Sequence, residues 1–213
     1  MPETLTTADA HCRLVLTAAT DGANGLHLHG YIVNTGEAVL YLCDNFYQVP
    51  RPYPSTGEPV FDILPDLVHV QVDAIGVHLD KAIMDLSFHK GIQGLDIPFL
   101  TRLPPGQAHA YTFRLELPLV PYRVRGLPPG QAAAVPLPLR FSLGYFVGSP
   151  EVEEHITEAA TTQGPALRIA LFLNNQQQII TVGPFQQLVP VANAVGNASP
   201  QTVSAAAWTP WGP

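Results

Sequence analysis

The chain has 213 residues, 46% hydrophobic and 13% charged, with 17 glycines, 22 prolines and a formal net charge of −7. A mean hydropathy of +0.15 and charge spread along the chain exclude a disordered acidic tail, and the glycine content excludes collagen. With Lys+Arg at 10 against Asp+Glu at 17 and a pI near 5.5, there is no clustered basic surface to neutralise phosphates, so neither nucleic acid nor an anionic membrane is an expected partner.

From the N-terminus, Met1-Pro2-Glu3-Thr4 offers no basic and apolar leader before Asp9, His11 and Arg13, and no apolar run reaches the length of a membrane-spanning helix. The expectation is a soluble, cytoplasmic protein whose Cys12 and Cys43 are reduced core thiols. Alternation with period two then recurs. Leu26, Leu28 and Ile32 share one face and His27, His29 and Tyr31 the other, and Asn34-Thr35-Gly36 marks a turn before Ala38 to Cys43, so Leu26 to Cys43 reads as a hairpin. Val68, Val70 and Val72 alternate with His69, Gln71 and Asp73, and Met84, Leu86 and Phe88 alternate with Asp85, Ser87 and His89. Tyr111, Phe113, Leu115 and Leu117 face inward against Thr112, Arg114 and Glu116. The same scheme runs from Val135 to Tyr145, with Pro136 and Pro138 placing its start at a sheet edge or outside the sheet. Ser149 as N-cap, Pro150 at the first position and Glu151, Glu153 and Glu154 near the positive helix end predict one short helix over about 150–162, stopped by Gly164-Pro165. Leu167 to Leu173, Asn174-Asn175 and Gln178 to Val182 read as a further hairpin.

Leu103-Pro104-Pro105-Gly106-Gln107-Ala108 recurs as Leu127-Pro128-Pro129-Gly130-Gln131-Ala132, each copy supplying a tight turn before a strand. Two segments look irregular. Gln48 to Pro59, bracketed by Tyr47 and containing Tyr53, is a stiff proline-rich loop suited to docking. The tail from 195 to 213 holds both tryptophans, Trp208 and Trp211, and reads as a docking strap onto its own chain or a neighbour. Tyr47, Tyr53, Trp208 and Trp211 are therefore the expected partner-binding residues.

The strand, Asn-Thr-Gly turn and strand of Gly25 to Gly36, with Leu103 to Gln107 leading into Tyr111-Thr112-Phe113-Arg114-Leu115, resembles the corresponding segments of immunoglobulin-like domains of bacterial origin, the intracellular proteinase-inhibitor type included. The resemblance covers about thirty residues and implies a sandwich rather than a chemistry.

Constellations of catalytic residue types are weak. His27 and His29 stand two residues apart on one strand face, as two imidazoles presented to a metal would, with His11, Cys12, Cys43 or His69 as a third ligand; the same spacing arises for any histidines at alternating solvent positions. Asp85, Ser87 and His89 supply triad residue types, but same-face neighbours on a strand stand roughly 7 Å apart, beyond hydrogen-bond reach. His78 with Asp80 reads as a solvated pair, and Glu151, His155 and Glu158 as one face of the surface helix. No Gly-x-Ser-x-Gly elbow or phosphate-binding loop occurs. No catalytic residue, cofactor or metal is expected.

The expected architecture is all-β, an immunoglobulin-like or jelly-roll antiparallel sandwich over residues 1–194 with a tail over 195–213. A charged fraction about half the usual 25% points to a surface meant to be covered. The function this favours is a non-catalytic structural or assembly protein acting through protein contacts, mainly self-association. The alternatives are an enzyme-binding or protease-inhibitor module using the Tyr47 to Tyr53 loop, and a metal-dependent enzyme built on His27 and His29.

Overall fold

A computed structural model describes residues 1–21, 24–47, 51–52, 59–85, 95–121 and 133–193. In chain order its strands are β1 (Glu3–Ala8), β2 (Cys12–Thr20), β3 (Gly25–Asn34), β4 (Leu40–Asn45), β5 (Arg51–Pro52), β6 (Pro59–Val60), β7 (His69–Val72), β8 (Val77–Lys81), β9 (Met84–Asp85), β10 (Leu95–Asp96), β11 (Phe99–Leu103) and β12 (Ala108–Glu116). After β13 (Ala133–Val147) come the helix α1 (Pro150–Glu154), then β14 (Ile156–Thr161), β15 (Gly164–Ile169), β16 (Gln178–Val182) and β17 (Leu188–Asn193).

Two-residue periodicity becomes two facing sheets. An antiparallel four-stranded sheet runs in the order β1-β2-β3-β12, and a larger mixed sheet runs β14-β15-β11-β4-β13-β8-β7, with β16 and β17 also paired to β13. Alternate residues of the facing strands enter the space between them. Leu14, Leu16, Leu26, Leu28 and Ile32 come from the small sheet and Leu79, Leu139, Phe141 and Leu143 from the large one, all fully buried in one apolar cluster. Each such side chain contributes about 1.5–3 kcal/mol by leaving water, which makes this face pairing the main source of cohesion. The fold is therefore an all-β sandwich.

The fifteen-residue β13 is the spine of the large sheet. Its first part pairs with β17 (Ala133↔Asn193 to Pro138↔Leu188), its middle with β8 in parallel and β16 antiparallel, and its end with β4. Pro136 stands opposite Pro190. The Pro190 carbonyl accepts from Leu119 N at 2.9 Å, so it points away from β13 and the proline pair occupies a position where no ladder hydrogen bond is required. Among the described residues β17 is the only strand paired with this proline-containing part, as expected for a sheet edge.

Three local expectations change. Leu26 to Cys43 is a crossover, not a hairpin: β3 pairs with β2 and β12, whereas β4 lies in the other sheet between β11 and β13. Asn34 makes the crossover, its side-chain amide donating to the carbonyls of Ala38 and Leu103 at 2.8 and 2.9 Å while its Oδ1 accepts from Gly36 N at 3.0 Å. Leu167 to Val182 is likewise no hairpin, because β15 pairs with β14 and β11, a 3-10 turn spans Leu171–Gln176, and β16 joins β13. The helix starts as read, with Ser149 Oγ accepting from Val152 N at 3.2 Å and Pro150 in the first turn, but it ends at Glu154. One helical turn has little intrinsic stability. The β-branched residues Ile156, Thr157 and Thr161 instead gain a six-pair ladder with β15.

The outer face of the large sheet carries a second core. Tyr41, Cys43 and Phe146 are covered there by Val152 of α1 and Leu173 of the 3-10 turn. The first Pro-Pro-Gly turn forms as expected, Gln107 N donating to Pro104 O at 3.2 Å with Gly106 at φ 72°; its second copy lies outside the described residues.

Candidate functional site

The outer face of the four-stranded sheet is the most extensive surface that the sequence reading singled out. Register places Thr4 opposite Thr17, Thr17 opposite His29, and His29 opposite Thr112, so these four form one row across all four strands. The next row is Thr6, Val15, Tyr31 and Ala110, with Tyr31 41% exposed. Neither row contains Asp, Glu, Lys or Arg. Charge lies outside these two rows, beginning with Arg114 in the row of Ala19 and His27. Arg13 is exposed near the start of β2, and beyond its end Asp21 Oδ2 contacts His27 Nε2 at 2.9 Å and Arg114 Nη2 at 3.3 Å. The His27 hydrogen bond, with the Arg114 charge, holds the Asp21 carboxyl below its ordinary range.

The metal alternative finds its ligands dispersed. His27 is engaged by Asp21, Cys12 is buried on the inner face of β2, and Cys43 is buried in the outer core of the large sheet. His69 packs edge-on against Phe46 at 4.8 Å. Among the described residues no group of three His, Cys, Asp or Glu side chains is placed to hold a metal ion. Both cysteines are free thiols.

Of the expected partner-binding residues, Tyr47 lies at a part-buried position, 4.9 Å from the Phe61 ring and 4.8 Å from Phe99, with Arg168 lying over both phenylalanines. It anchors the root of the proline-rich segment to the molecule's own aromatic cluster. Tyr53, Trp208 and Trp211 lie outside the described residues, as do Ser87 and His89. His78 and Asp80 share a face, but His78 Nε2 contacts Asp73 Oδ2 at 3.0 Å. Burial raises the Asp80 carboxyl, offset by the Ser142 hydroxyl and the His78 and His69 charges. The shortened helix leaves Glu158 on β14, so Glu151, His155 and Glu158 do not form a helical face.

Inside the sandwich lies a polar cluster that sequence reading missed. Asp44, 4% exposed on β4, accepts from Thr101 Oγ1 at 2.8 Å and Asn45 Nδ2 at 3.0 Å on Oδ1, and contacts His109 Nε2 at 3.0 Å on Oδ2. Lys81, 2% exposed, donates to the carbonyls of Asp44 and Pro65 at 2.8 and 2.7 Å and lies 5.3 Å from the Phe113 ring centroid. Burial pulls the Lys81 ammonium down to about 8 against the opposing pull of Asp44 and Asp66. Nearby, Tyr145 Oη donates to Asp9 Oδ2 at 2.7 Å and lies 3.0 Å from the Gln178 side-chain amide. Burial, then the Asp9 charge, pushes the Cys12 thiol up to about 12. The alternating pattern carried one signal of this cluster, since Lys81 falls in phase with the inward Val77 and Leu79. Chemically, the Cys12 thiol is kept protonated and buried, whereas the Lys81 amine is enclosed by carbonyls and brought by burial closer to its neutral form.

The chain matches no protein-family model, and neither a curated protein nor a solved structure is significantly similar to it. Among the described residues, fold and surface together define an all-β sandwich whose four-stranded sheet presents an exposed outer face. Among the described residues no helix is long and apolar enough to cross a membrane.

Proposed function

We propose that this chain is a non-catalytic structural or assembly protein that works through protein contacts, chiefly with copies of itself. The observation that carries the reading is a chain short of ionised groups, 13% of its residues, on whose surface large apolar side chains stand in water. Phe172 is 63% exposed, Ile179 55%, Ile75 54% and Leu188 52%, distributed over different elements. Single exposed apolar residues are ordinary, but a surface with half the usual charge has little to oppose association through them. Trp208 and Trp211 extend the same logic to the tail. Light scattering over a concentration series tests the reading: a mass that rises above 23.0 kDa supports it, and a constant monomer mass overturns it.

A further inference from the structure

We infer that the outer face of the four-stranded sheet docks on the same face of a second copy, with a two-fold axis along the row Thr4, Thr17, His29 and Thr112; this rests on the self-association reading and assigns it a surface. Three observations carry the inference. The first is the arrangement of charge. The two central rows have none; Arg114, two residues from Thr112, is paired with Asp21 of its own copy, and Arg13 and Asp21 stand at opposite ends of one strand, each four residues from Thr17. An axis through Thr17 and perpendicular to the strands places one copy's Arg13 over the other's Asp21, and symmetry makes the contact twice. The second is that the same operation is consistent on the neighbouring strand. Tyr31 and His27 are each two residues from His29, so the exposed phenol meets the imidazole of the other copy. An aromatic centre inside a charged rim is the usual anatomy of a protein interface.

The third is size. Four strands about 4.8 Å apart and roughly eight residues long present a plan area on the order of 500 Å² per copy. Two copies then bury on the order of 1,000 Å², the lower end for specific association. Thr17 is already bonded to Thr4 at 2.7 Å, so the row on the axis holds its own hydroxyls without needing water.

Sedimentation equilibrium of the full chain from about 1 to 200 µM, with circular dichroism to verify folding, tests the surface. Thr112→Glu sets a carboxylate against its symmetry mate on the axis and is expected to weaken the dimer at least tenfold, as is Tyr31→Glu. Arg13→Glu is expected to weaken it less, and Arg13→Glu with Asp21→Lys to recover part of the loss. Thr112 is exposed, so its variant keeps the test valid if Tyr31→Glu fails to fold. Self-association that persists unchanged in both Thr112→Glu and Arg13→Glu overturns this surface while leaving assembly through another one standing. A wild-type chain that stays monomeric throughout overturns the assembly reading itself.

Discussion

Asp44 of the large sheet and His109 of the small sheet meet at 3.0 Å across the interior of the sandwich. The carboxylate is buried and the imidazole is about a third exposed, so the contact sits where the apolar core opens toward water. Removing the carboxylate costs more than removing the ring, because Thr101, Asn45 and His109 all lose their acceptor. Asp44→Ala is expected to lower unfolding free energy by about 3–5 kcal/mol, and His109→Ala, discounted for solvent, by about 1 kcal/mol. Urea titrations of both variants measure this, and equal losses would contradict the asymmetry.

Lys81 makes stability depend on pH in a defined window. Its folded value of about 8 lies below the ordinary 10.5, so between these limits the unfolded chain holds a proton that the folded chain has released. Stability therefore rises with pH across that interval, by up to about 1.4 kcal/mol per unit. Cys12 acts oppositely above pH 9, where the unfolded thiol ionises and the folded one, pushed up to about 12, does not. Lys81→Met is expected to flatten the rise between pH 8 and 9, read as the difference between the two denaturation curves.

Gly30 is required by a close approach between strands rather than by a turn. A β-carbon there would lie 2.0 Å from the Val15 carbonyl oxygen and 2.9 Å from Leu16 Cα, both backbone atoms that cannot rotate away. Gly30→Ala is expected to destabilise by about 3 kcal/mol or more and to lower the melting temperature correspondingly. A thermal melt within a few degrees of wild type would show that β2 and β3 part more easily than their nine-pair ladder suggests.

Removing residues 195–213, and with them Trp208 and Trp211, is expected to weaken self-association without altering the β-sheet dichroism. The double change Trp208→Ala with Trp211→Ala is expected to reproduce most of the effect, since tryptophan side chains carry large shares of contact energy. Light scattering reads both.

Strands were legible because burial enforces alternation. Tyr111 and Phe113 against Thr112 and Arg114 needed no partner to be recognised, and the Ser149 cap carries its own local hydrogen bond. Strand partners were not legible, because alternation is blind to which sheet receives a strand. Asn34 decided that question for β4 by bonding to Leu103, 69 residues away, a contact that turn chemistry alone does not encode. The outward face of His27, His29 and Tyr31 was readable on one strand, but its extent over four strands required the register. The interior cluster stayed hidden for the same reason. Asp44, Lys81 and His109 are ordinary polar residues until three separate strands bring them together.

All four strands of the small sheet are complete by Glu116, whereas β13, on which β4, β8, β16 and β17 depend, begins at Ala133. During synthesis the ribosome thus releases one finished layer, its Leu14, Leu16 and Leu28 side wet, before the central strand of the opposing layer has emerged. Apolar surface exposed in that interval is open to association with neighbouring chains on a polysome, and a chaperone shielding that layer until translation ends would oppose it.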